Sequence, residues 1–243
     1  MKLNNYLPEK FRFISSGLIL LGVTMLFSAC LKSNDNDNYK PVLSDVMIVN
    51  ADPNITSAEF AYGGQRTEYN IGYSTNSKYY KDLFAGVEMV FFKGSSNTVV
   101  ARGAVPAGAD SVFSIYLAGS GDSSFVVADK LVSPSGTNAA IRFVNASKSA
   151  GSVDVSISTA TAKLTAQGFS GASGAASPTF KEYPAGQTVV NVYAAGTETP
   201  LVTTPLTFNA VAGVSYTVYL RGVKDGQGAK QLGLGLVDHK SAL

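Results

Sequence analysis

Very few residues in this chain could carry out acid–base, nucleophilic or metal chemistry. Its 243 residues include one cysteine, Cys30, and one histidine, His239. A Ser-His-Asp site would need His239 as its base, and zinc sites usually need several Cys or His ligands. Because His239 follows Asp238 near the C-terminus, just past the last predicted strand, we interpret it as a solvated tail residue. We expect no metal site, no cofactor and no catalytic triad.

Paired carboxylates are the remaining route to catalysis, because two of them can hydrolyse a glycosidic bond. Their positions are scattered, and several fall in turn sequences where Asp stabilises the local backbone. The candidates are Asp110, Asp122, Asp129, Asp154, Asp225 and Glu182. A function must be argued from a site, and none is visible. The sequence therefore predicts a protein that is not an enzyme, and a glycoside hydrolase is the least favoured hypothesis.

A tyrosine-rich segment is the main candidate for ligand binding. Tyrosine rings can stack on sugars or anchor a protein partner. The competing interpretation, which we favour, is that alternate residues such as Tyr69, Ile71 and Tyr73 line the core of a strand. The absence of tryptophan also weakens a glycan platform. The candidate ligand-binding residues are Tyr62, Tyr69, Tyr73, Tyr79 and Tyr80.

Charge and glycine patterns exclude two further classes. The chain has 19 basic and 17 acidic residues. Residues 1–29 hold three of the basic residues and one of the acidic ones, so 16 of each remain after them. No basic cluster with interleaved aromatic residues is present, so the sequence indicates no nucleic-acid partner. The glycine-rich stretch 167–177 lacks the Gly-Lys-Ser/Thr ending of a phosphate loop, and we interpret it as a loop between strands.

The N-terminus has the features of an export signal. Basic residues precede an apolar run from Gly17 to Phe27, which is too short to span a membrane as a helix and has the length of a signal-peptide core. Ser28 and Ala29 are small residues directly before Cys30.

Phe27-Ser28-Ala29-Cys30 resembles the bacterial lipobox, although Leu is the usual first residue of that motif. The resemblance implies cleavage between Ala29 and Cys30 and acylation of Cys30, which would tie the protein to a membrane. An ordinary secretory signal with an incidental cysteine is the alternative. Two or more acyl chains make a stable anchor.

The polar stretch after Cys30 predicts a flexible tether, because it can bury almost nothing. Asp35 and Asp37 resemble the acidic sorting signal that sends Bacteroidetes lipoproteins to the cell surface. We therefore expect a lipid anchor in the outer membrane, facing the cell surface, with the periplasmic face as the alternative. A calcium loop is disfavoured because the central Gly and the later Glu are missing.

The body of the chain contains an internal repeat. Residues 46–51 align with 141–146, residues 80–86 with 180–186, and residues 114–119 with 217–222. The offsets of 95, 100 and 103 residues grow slowly, as expected when loops lengthen and strands do not. Ser133–Thr137 has the composition of a turn or linker.

Within each copy, apolar and polar residues alternate with the period of a β-strand. The segment 153–158 places Val153, Val155 and Ile157 in alternation with polar residues. This pattern indicates a strand with one buried face and one solvent-exposed face. Ser114 and Tyr116 fall opposite the apolar residues of their strand, as Thr217 and Arg221 do in copy two. Around Leu232–Leu236, glycines alternate with leucines, which indicates the close approach of another strand or a bend.

These patterns predict an all-β protein with two tandem antiparallel β-sandwich domains, Ig-like or transthyretin-like, after a lipoprotein signal peptide. A single merged sandwich is the alternative. The predicted organisation is a signal peptide over 1–29, the lipidated Cys and tether over 30–43, copy one over 44–134 and copy two over 138–243.

Three motifs resemble the domain of unknown function family 4397: the Val-Asn-Ala step, the Pro-Ala-Gly turn and the Tyr-Thr-Val-Tyr-Leu strand. The resemblance covers most of Asp45–Asp238 and is clearer in copy two, since Phe84 replaces the family-like Pro184 in copy one. It implies an extracytoplasmic β domain of adhesive or binding type and supplies no catalytic residues.

Three hypotheses for the function follow from these observations. The first is a non-catalytic, lipid-anchored cell-envelope protein that presents its loops for adhesion, assembly or ligand presentation to an envelope protein. The second is a surface glycan-binding lipoprotein of a carbohydrate uptake system. The third is the glycoside hydrolase.

Overall fold

Strands dominate the part of the chain that the computed structural model describes, which comprises residues 41–67, 69–107, 111–118 and 123–240. Two 3₁₀ turns lie wholly within these residues, Lys148–Ala150 and Gly228–Lys230, and no α-helix is present among them. Val153, Val155 and Ile157 are all buried, as their alternation with polar residues predicts. The all-β sandwich class is thereby confirmed.

Ten strands lie in the described residues of copy one. They are β1 (Leu43–Asn50), β2 (Ser57–Tyr62), β3 (Gln65–Arg66), β4 (Ile71–Gly72), β5 (Thr75–Asn76), β6 (Tyr80–Phe84), β7 (Glu88–Lys93), β8 (Val99–Ala104), β9 (Ser111–Leu117) and β10 (Ser124–Ala128). Copy two contributes eight: β11 (Asn138–Asn145), β12 (Val153–Ile157), β13 (Leu164–Gln167), β14 (Lys181–Pro184), β15 (Gly186–Ala194), β16 (Leu206–Ala210), β17 (Ser215–Arg221) and β18 (Gly233–Asp238).

The two copies share one sheet topology. In copy one, β6 and β5 pair with β1 in a sheet of order β10-β9-β1, and copy two has the matching order β18-β17-β11-β14. We call these the inner sheets. The outer sheets run β3-β2-β7-β8, with β4 also on β2, and β13-β12-β15-β16. Leu43 faces Phe84 and Asn138 faces Pro184, so strand pairing reproduces the offsets of the sequence repeat.

Each inner sheet contains one parallel pair, β1 with β9 and β11 with β17, while the other pairs are antiparallel. A parallel pair needs a long crossover connection. Here the chain crosses to the outer sheet and returns between the two partners. The first strand of each copy is therefore held at the centre of its inner sheet.

Each copy has its own apolar core between its inner and outer sheets. These cores are built from β-branched, aromatic and long aliphatic side chains that alternate along the strands. The core of copy one includes Val46, Ile48, Phe60, Met89, Phe91 and Ile115. The core of copy two includes Ile141, Phe143, Val155, Val192, Val218 and Leu220.

A third apolar cluster joins the two copies, because the inner sheets pack against each other through their remaining faces. The Tyr116 and Tyr219 rings meet edge to face, with centroids 5.9 Å apart. The two tyrosines occupy equivalent positions, so matching residues of the two copies meet in the interface. Its other members include Met47, Val49, Ala51, Val127, Val144, Ala146 and Val237. The described residues from Pro41 onward consequently form one compact unit.

Two glycines of β18 accept large side chains from β17. A Cβ on Gly235 would lie 2.2 Å from Cζ of Tyr219, and one on Gly233 would lie 3.0 Å from Nη2 of Arg221. This is the close approach that the Gly-Leu alternation predicts. In copy one, the residue equivalent to Gly235 is Phe125, whose ring stacks on Tyr116 at 5.1 Å.

The Gly235→Ala substitution is expected to lower the free energy of unfolding by about 1–3 kcal/mol, because the methyl group would collide with a buried ring. Urea unfolding of the variant and the wild type measures this difference. The matched control is Gly103→Ala on β8, where an added Cβ meets nothing within 4 Å. Equal stability of Gly235→Ala and the wild type would contradict the proposed contact.

Candidate functional site

A polar cluster lies buried in the interface between the two copies. Asp129 directly follows β10, and its N–H donates to the carbonyl of Val112 at 2.7 Å. His239 directly follows β18 and makes the equivalent bond to Ser215 at 3.1 Å. Both inner sheets thus continue one residue past their edge strands. This extension turns the Asp129 and His239 side chains into the interface.

The cluster is a closed ring of hydrogen bonds among five side chains that are 0% to 7% exposed. The Nε of Arg142 donates to the Thr217 hydroxyl at 2.8 Å, and that hydroxyl lies 2.8 Å from Nε2 of His239. Nδ1 of His239 lies 2.7 Å from the Tyr79 hydroxyl, which donates to Oδ2 of Asp129 at 2.7 Å. An ion pair between Arg142 and Oδ1 of Asp129 completes the ring.

Two further contacts hold the ion pair. The Ser114 hydroxyl donates to Oδ2 of Asp129 at 2.6 Å, and Nη1 of Arg142 donates to the carbonyl of Ala128 at 3.0 Å. The Phe180 ring covers the Arg142 guanidinium, with 4.5 Å between Cζ and the ring centroid. A buried ion pair of this kind needs such added hydrogen bonds to offset its desolvation.

The ring of hydrogen bonds is satisfied by a neutral His239 that carries its proton on Nδ1. The Tyr79 hydroxyl has one proton, which goes to Asp129, so Nδ1 must be the donor to Tyr79. Nε2 then accepts the proton of Thr217. Burial, followed by the Arg142 charge, lowers the pKa of His239 to about 4, although Asp129 and Asp238 act in the opposite direction. Burial raises the pKa of Tyr79 far above its ordinary value.

The buried position of His239 corrects the prediction of a solvated tail residue, which is wrong: the side chain is 0% exposed. The cause is that the strand ladder includes its N–H, so its side chain is fixed against copy one. Extending the repeat alignment to β10 and β18 pairs Asp129 with His239, and that signal could have revealed the site. The hydrogen bonds and the ion pair of the cluster can hold the two copies together.

The five candidate tyrosines do not form one site. Tyr79 belongs to the interface cluster, and Tyr73 accepts a hydrogen bond from Arg221 at 3.0 Å. Tyr62 is half-buried against the core of copy one, and its hydroxyl accepts the Phe84 N–H at 2.9 Å. The structure brings only Tyr69 and Tyr80 into direct ring contact.

The interpretation that Tyr69, Ile71 and Tyr73 line the core together is wrong. Ile71 is buried, whereas Tyr69 is 66% exposed and Tyr73 is half-buried. The reason is that β4 contains only Ile71 and Gly72, so the alternation does not extend to either tyrosine.

Tyr69 and Tyr80 lie at a surface cleft of about 400 Å³ that also includes Asn76 and Lys78. Their rings meet edge to face at 5.8 Å. Tyr80 packs in turn on Phe60 of the core at 4.8 Å, and burial raises its pKa to about 12. The cleft therefore has a fixed aromatic wall and one exposed ring.

The described carboxylates among the hydrolase candidates have local structural partners. Asp154 accepts the N–H groups of Ala166 and Gly196, each at 2.8 Å, and these bonds lower its pKa. Glu182 accepts hydrogen bonds from Ser135 and Asn138, which likewise lower its pKa. Asp225 has a positive φ of 61°, a turn conformation that Asp tolerates.

Several predicted features lie outside the described residues, namely the signal peptide, Ala29, Cys30, Asp110, Asp122 and residues 31–40 of the tether. Across the described ranges, no group of three or more His, Cys, Asp or Glu side chains is placed to hold a metal ion. No helix among the described residues has the length and apolarity to cross a membrane.

One solved structure that the chain matches is the crystal structure of a "putative cell adhesion protein" from Bacteroides eggerthii. The alignment covers 84% of this chain and 97% of that one, with 9% identity and a TM-score of 0.22. Similarity at this level carries no argument about fold or activity. No curated protein matches the chain.

The family comparison gives the more specific result. Residues 44–156 match the model of the family described as Domain of unknown function (DUF4397). The matched range starts in β1, covers copy one and ends within β12 of copy two, whereas the motifs place the clearer resemblance in copy two. The resemblance to DUF4397 inferred from those motifs is thus confirmed over residues 44–156.

Proposed function

We propose that the protein is a non-catalytic, lipid-anchored cell-envelope protein that works in adhesion, assembly or ligand presentation. The observation that supports this most is the burial of His239, the sole histidine, with both ring nitrogens engaged in the interface cluster. The side chain best suited to acid–base chemistry near neutral pH is thereby committed to holding the two copies together.

The packing of the inner sheets suits a role in holding a partner. An interface with its own apolar cluster and a buried ion pair joins the copies into one compact unit. A rigid scaffold with loops at its ends can present those loops at low entropic cost, which is how β-sandwich binding proteins work. In the proposal, acyl chains on Cys30 anchor this body to the outer membrane, and the tether that follows Cys30 lets it face the cell surface.

The Cys30→Ala substitution is expected to abolish acyl labelling of the full chain, because the thiol is the proposed acceptor. Cells expressing the wild type or the variant are grown with a labelled fatty acid, and the protein is then isolated and its label measured. Protease treatment of intact cells tests surface exposure in parallel. A Ser28→Thr variant, which keeps Cys30, is the control. Persistent labelling of Cys30→Ala would contradict the anchor.

Adhesion itself is tested with the same cells on immobilised envelope proteins and glycans. Cells with the wild-type protein are expected to adhere to at least one of these surfaces, and cells with Cys30→Ala are expected to lose that adherence. Release of reducing sugar from the immobilised glycans would instead support the hydrolase. Equal adherence of the two strains on every surface would overturn the adhesion proposal.

Glycan binding is the second candidate function, and the exposed Tyr69 ring is the observation that favours it. An aromatic ring beside hydrogen-bonding groups such as Asn76 and Lys78 can stack on a sugar face. If this cleft binds a glycan, Tyr69→Ala should weaken adherence to that glycan about fivefold or more. Val126→Ala, which also removes exposed apolar surface, should leave it unchanged.

A further inference from the structure

We propose that a cavity at the end of β17 in copy two binds a small saccharide that bears a carboxylate, with Arg221 as the partner of the carboxylate group. This site is separate from the cleft at Tyr69 and does not rest on the adhesion proposal. The cavity measures about 500 Å³, which is within the usual range for a small-ligand site.

Arg221 differs from the other described arginines in its charge balance. Among the residues that the structure describes, Arg66, Arg102 and Arg142 each pair with a carboxylate, and Arg221 does not. Arg221 is only partly exposed, so its charge is partly desolvated without a counter-charge. Such a charge is costly in a folded protein unless an anion neutralises it.

The hydrogen bonds of Arg221 leave one edge of its guanidinium unused. Nη1 donates to the Tyr73 hydroxyl at 3.0 Å, while Nε is buried without a hydrogen-bond partner in the described part of the chain. Nε and Nη2 form the edge that pairs with the two oxygens of a carboxylate. An unsatisfied buried donor of this kind calls for an explanation, and a ligand carboxylate in the cavity that Arg221 lines supplies one.

Two features hold the guanidinium at this cavity. Gly233 lies beneath it, where any Cβ would stand 3.0 Å from Nη2. The Tyr73 ring of copy one lies 5.0 Å from Cζ of Arg221 on another side. The site therefore uses a residue from each copy, and its geometry depends on the interface that joins them.

The walls of the cavity favour a saccharide over a bare carboxylate. Thr203, Thr204 and Gln231 line it together with Arg221, and they offer hydroxyl and amide groups that can bind sugar hydroxyls. The loop that carries Gln231 packs closely against the end of β17, because a Cβ on Gly222 would lie 2.3 Å from the Gln231 carbonyl. Backbone hydrogen bonds, including that from the Val223 N–H to the Lys230 carbonyl at 2.8 Å, hold the same loop.

The test compares binding of galacturonate, galactose and acetate to the protein by calorimetry at low salt. Galacturonate is expected to bind about tenfold or more tightly than either of the others, because only it offers both the carboxylate and the hydroxyls. Equal binding of galactose would overturn the role of the carboxylate. Equal binding of acetate would overturn the saccharide, and no binding of galacturonate would overturn the site.

Arg221→Gln is expected to weaken galacturonate binding about tenfold or more, while Arg102→Gln, which removes an exposed arginine elsewhere, leaves it unchanged. Unchanged affinity of Arg221→Gln would overturn the assignment. If that variant does not fold, two measurements replace it. Thr204→Val on the exposed loop should weaken binding, and amide shifts of the wild-type protein should move in residues 202–206 and 228–234. Shifts confined to other regions would overturn the proposal.

Discussion

Arg142→Met is expected to lower the free energy of unfolding by about 3–5 kcal/mol, because it leaves the buried Asp129 carboxylate without its cationic partner. The substitution is sterically conservative for this fold, since Met47 occupies the equivalent position in copy one. The loss would therefore report the charge and its hydrogen bonds rather than the shape of the side chain. Urea unfolding, with tyrosine fluorescence as the signal, measures the difference.

Two companion variants separate the buried ion pair from general effects of losing an arginine. Arg102→Met removes an arginine whose ion pair with Glu88 is more than half exposed on both sides, and it should cost at most about 1 kcal/mol. Arg142→Met combined with Asp129→Asn should lose less than the sum of the two single variants, because the uncompensated charge is gone. If Arg142→Met lowered the free energy of unfolding no more than Arg102→Met does, the cluster would not stabilise the interface.

The buried His239 is expected to make the protein less stable as the pH falls from about 6.5 to about 4. An unfolded chain takes up a proton on histidine near pH 6.5, whereas the folded protein does so only near 4. Between these values the unfolded state binds more protons, so lowering the pH favours unfolding. The neutral His239 contributes about 3 kcal/mol to the free energy of unfolding, and this contribution is fully present above about pH 6.5.

Because the chain has one histidine, its titration can be followed by a single imidazole resonance in the NMR spectrum. The midpoint of its titration should lie near pH 4. The difference in stability between the wild type and His239→Gln should shrink over the same range. Asp154 has a lowered pKa in the folded protein and so also stabilises the folded state above its unfolded pKa. Its contribution to the free energy of unfolding is the same in the wild type and in His239→Gln. A midpoint near 6.5 would contradict the buried neutral imidazole.

The sequence repeat carries much of the information about the fold. The offsets between the copies follow the paired strands of the inner sheets, and the period-two patterns place Val153, Val155 and Ile157 in a core. The Gly-Leu alternation in β18 correctly indicates the close approach of a neighbouring strand, because a strand face that carries only glycines leaves room for large side chains from that neighbour. The two alternation patterns are local properties, and each can be recognised within about ten residues of chain.

The candidate sites depend on contacts that no local pattern records. Tyr79 and His239 are 160 residues apart in the chain, and the short β4 ends the alternation on which the prediction for Tyr69 and Tyr73 relied. Arg221 also acquires its significance from Tyr73, a residue of the other copy. A search for motifs within one segment could not find these pairs.

By itself, the sequence determined the strand class, the two matching copies and one apolar face of most strands, since side-chain alternation along a strand is a local rule. Only the tertiary structure decided what covers the second face of each inner sheet. Ser114, Tyr116 and Thr217 lie on the side opposite the cores, where the sequence indicates a wet surface, yet all three are buried. Alternation tells which residues share a face, but whether that face meets water or another sheet depends on how the two copies pack.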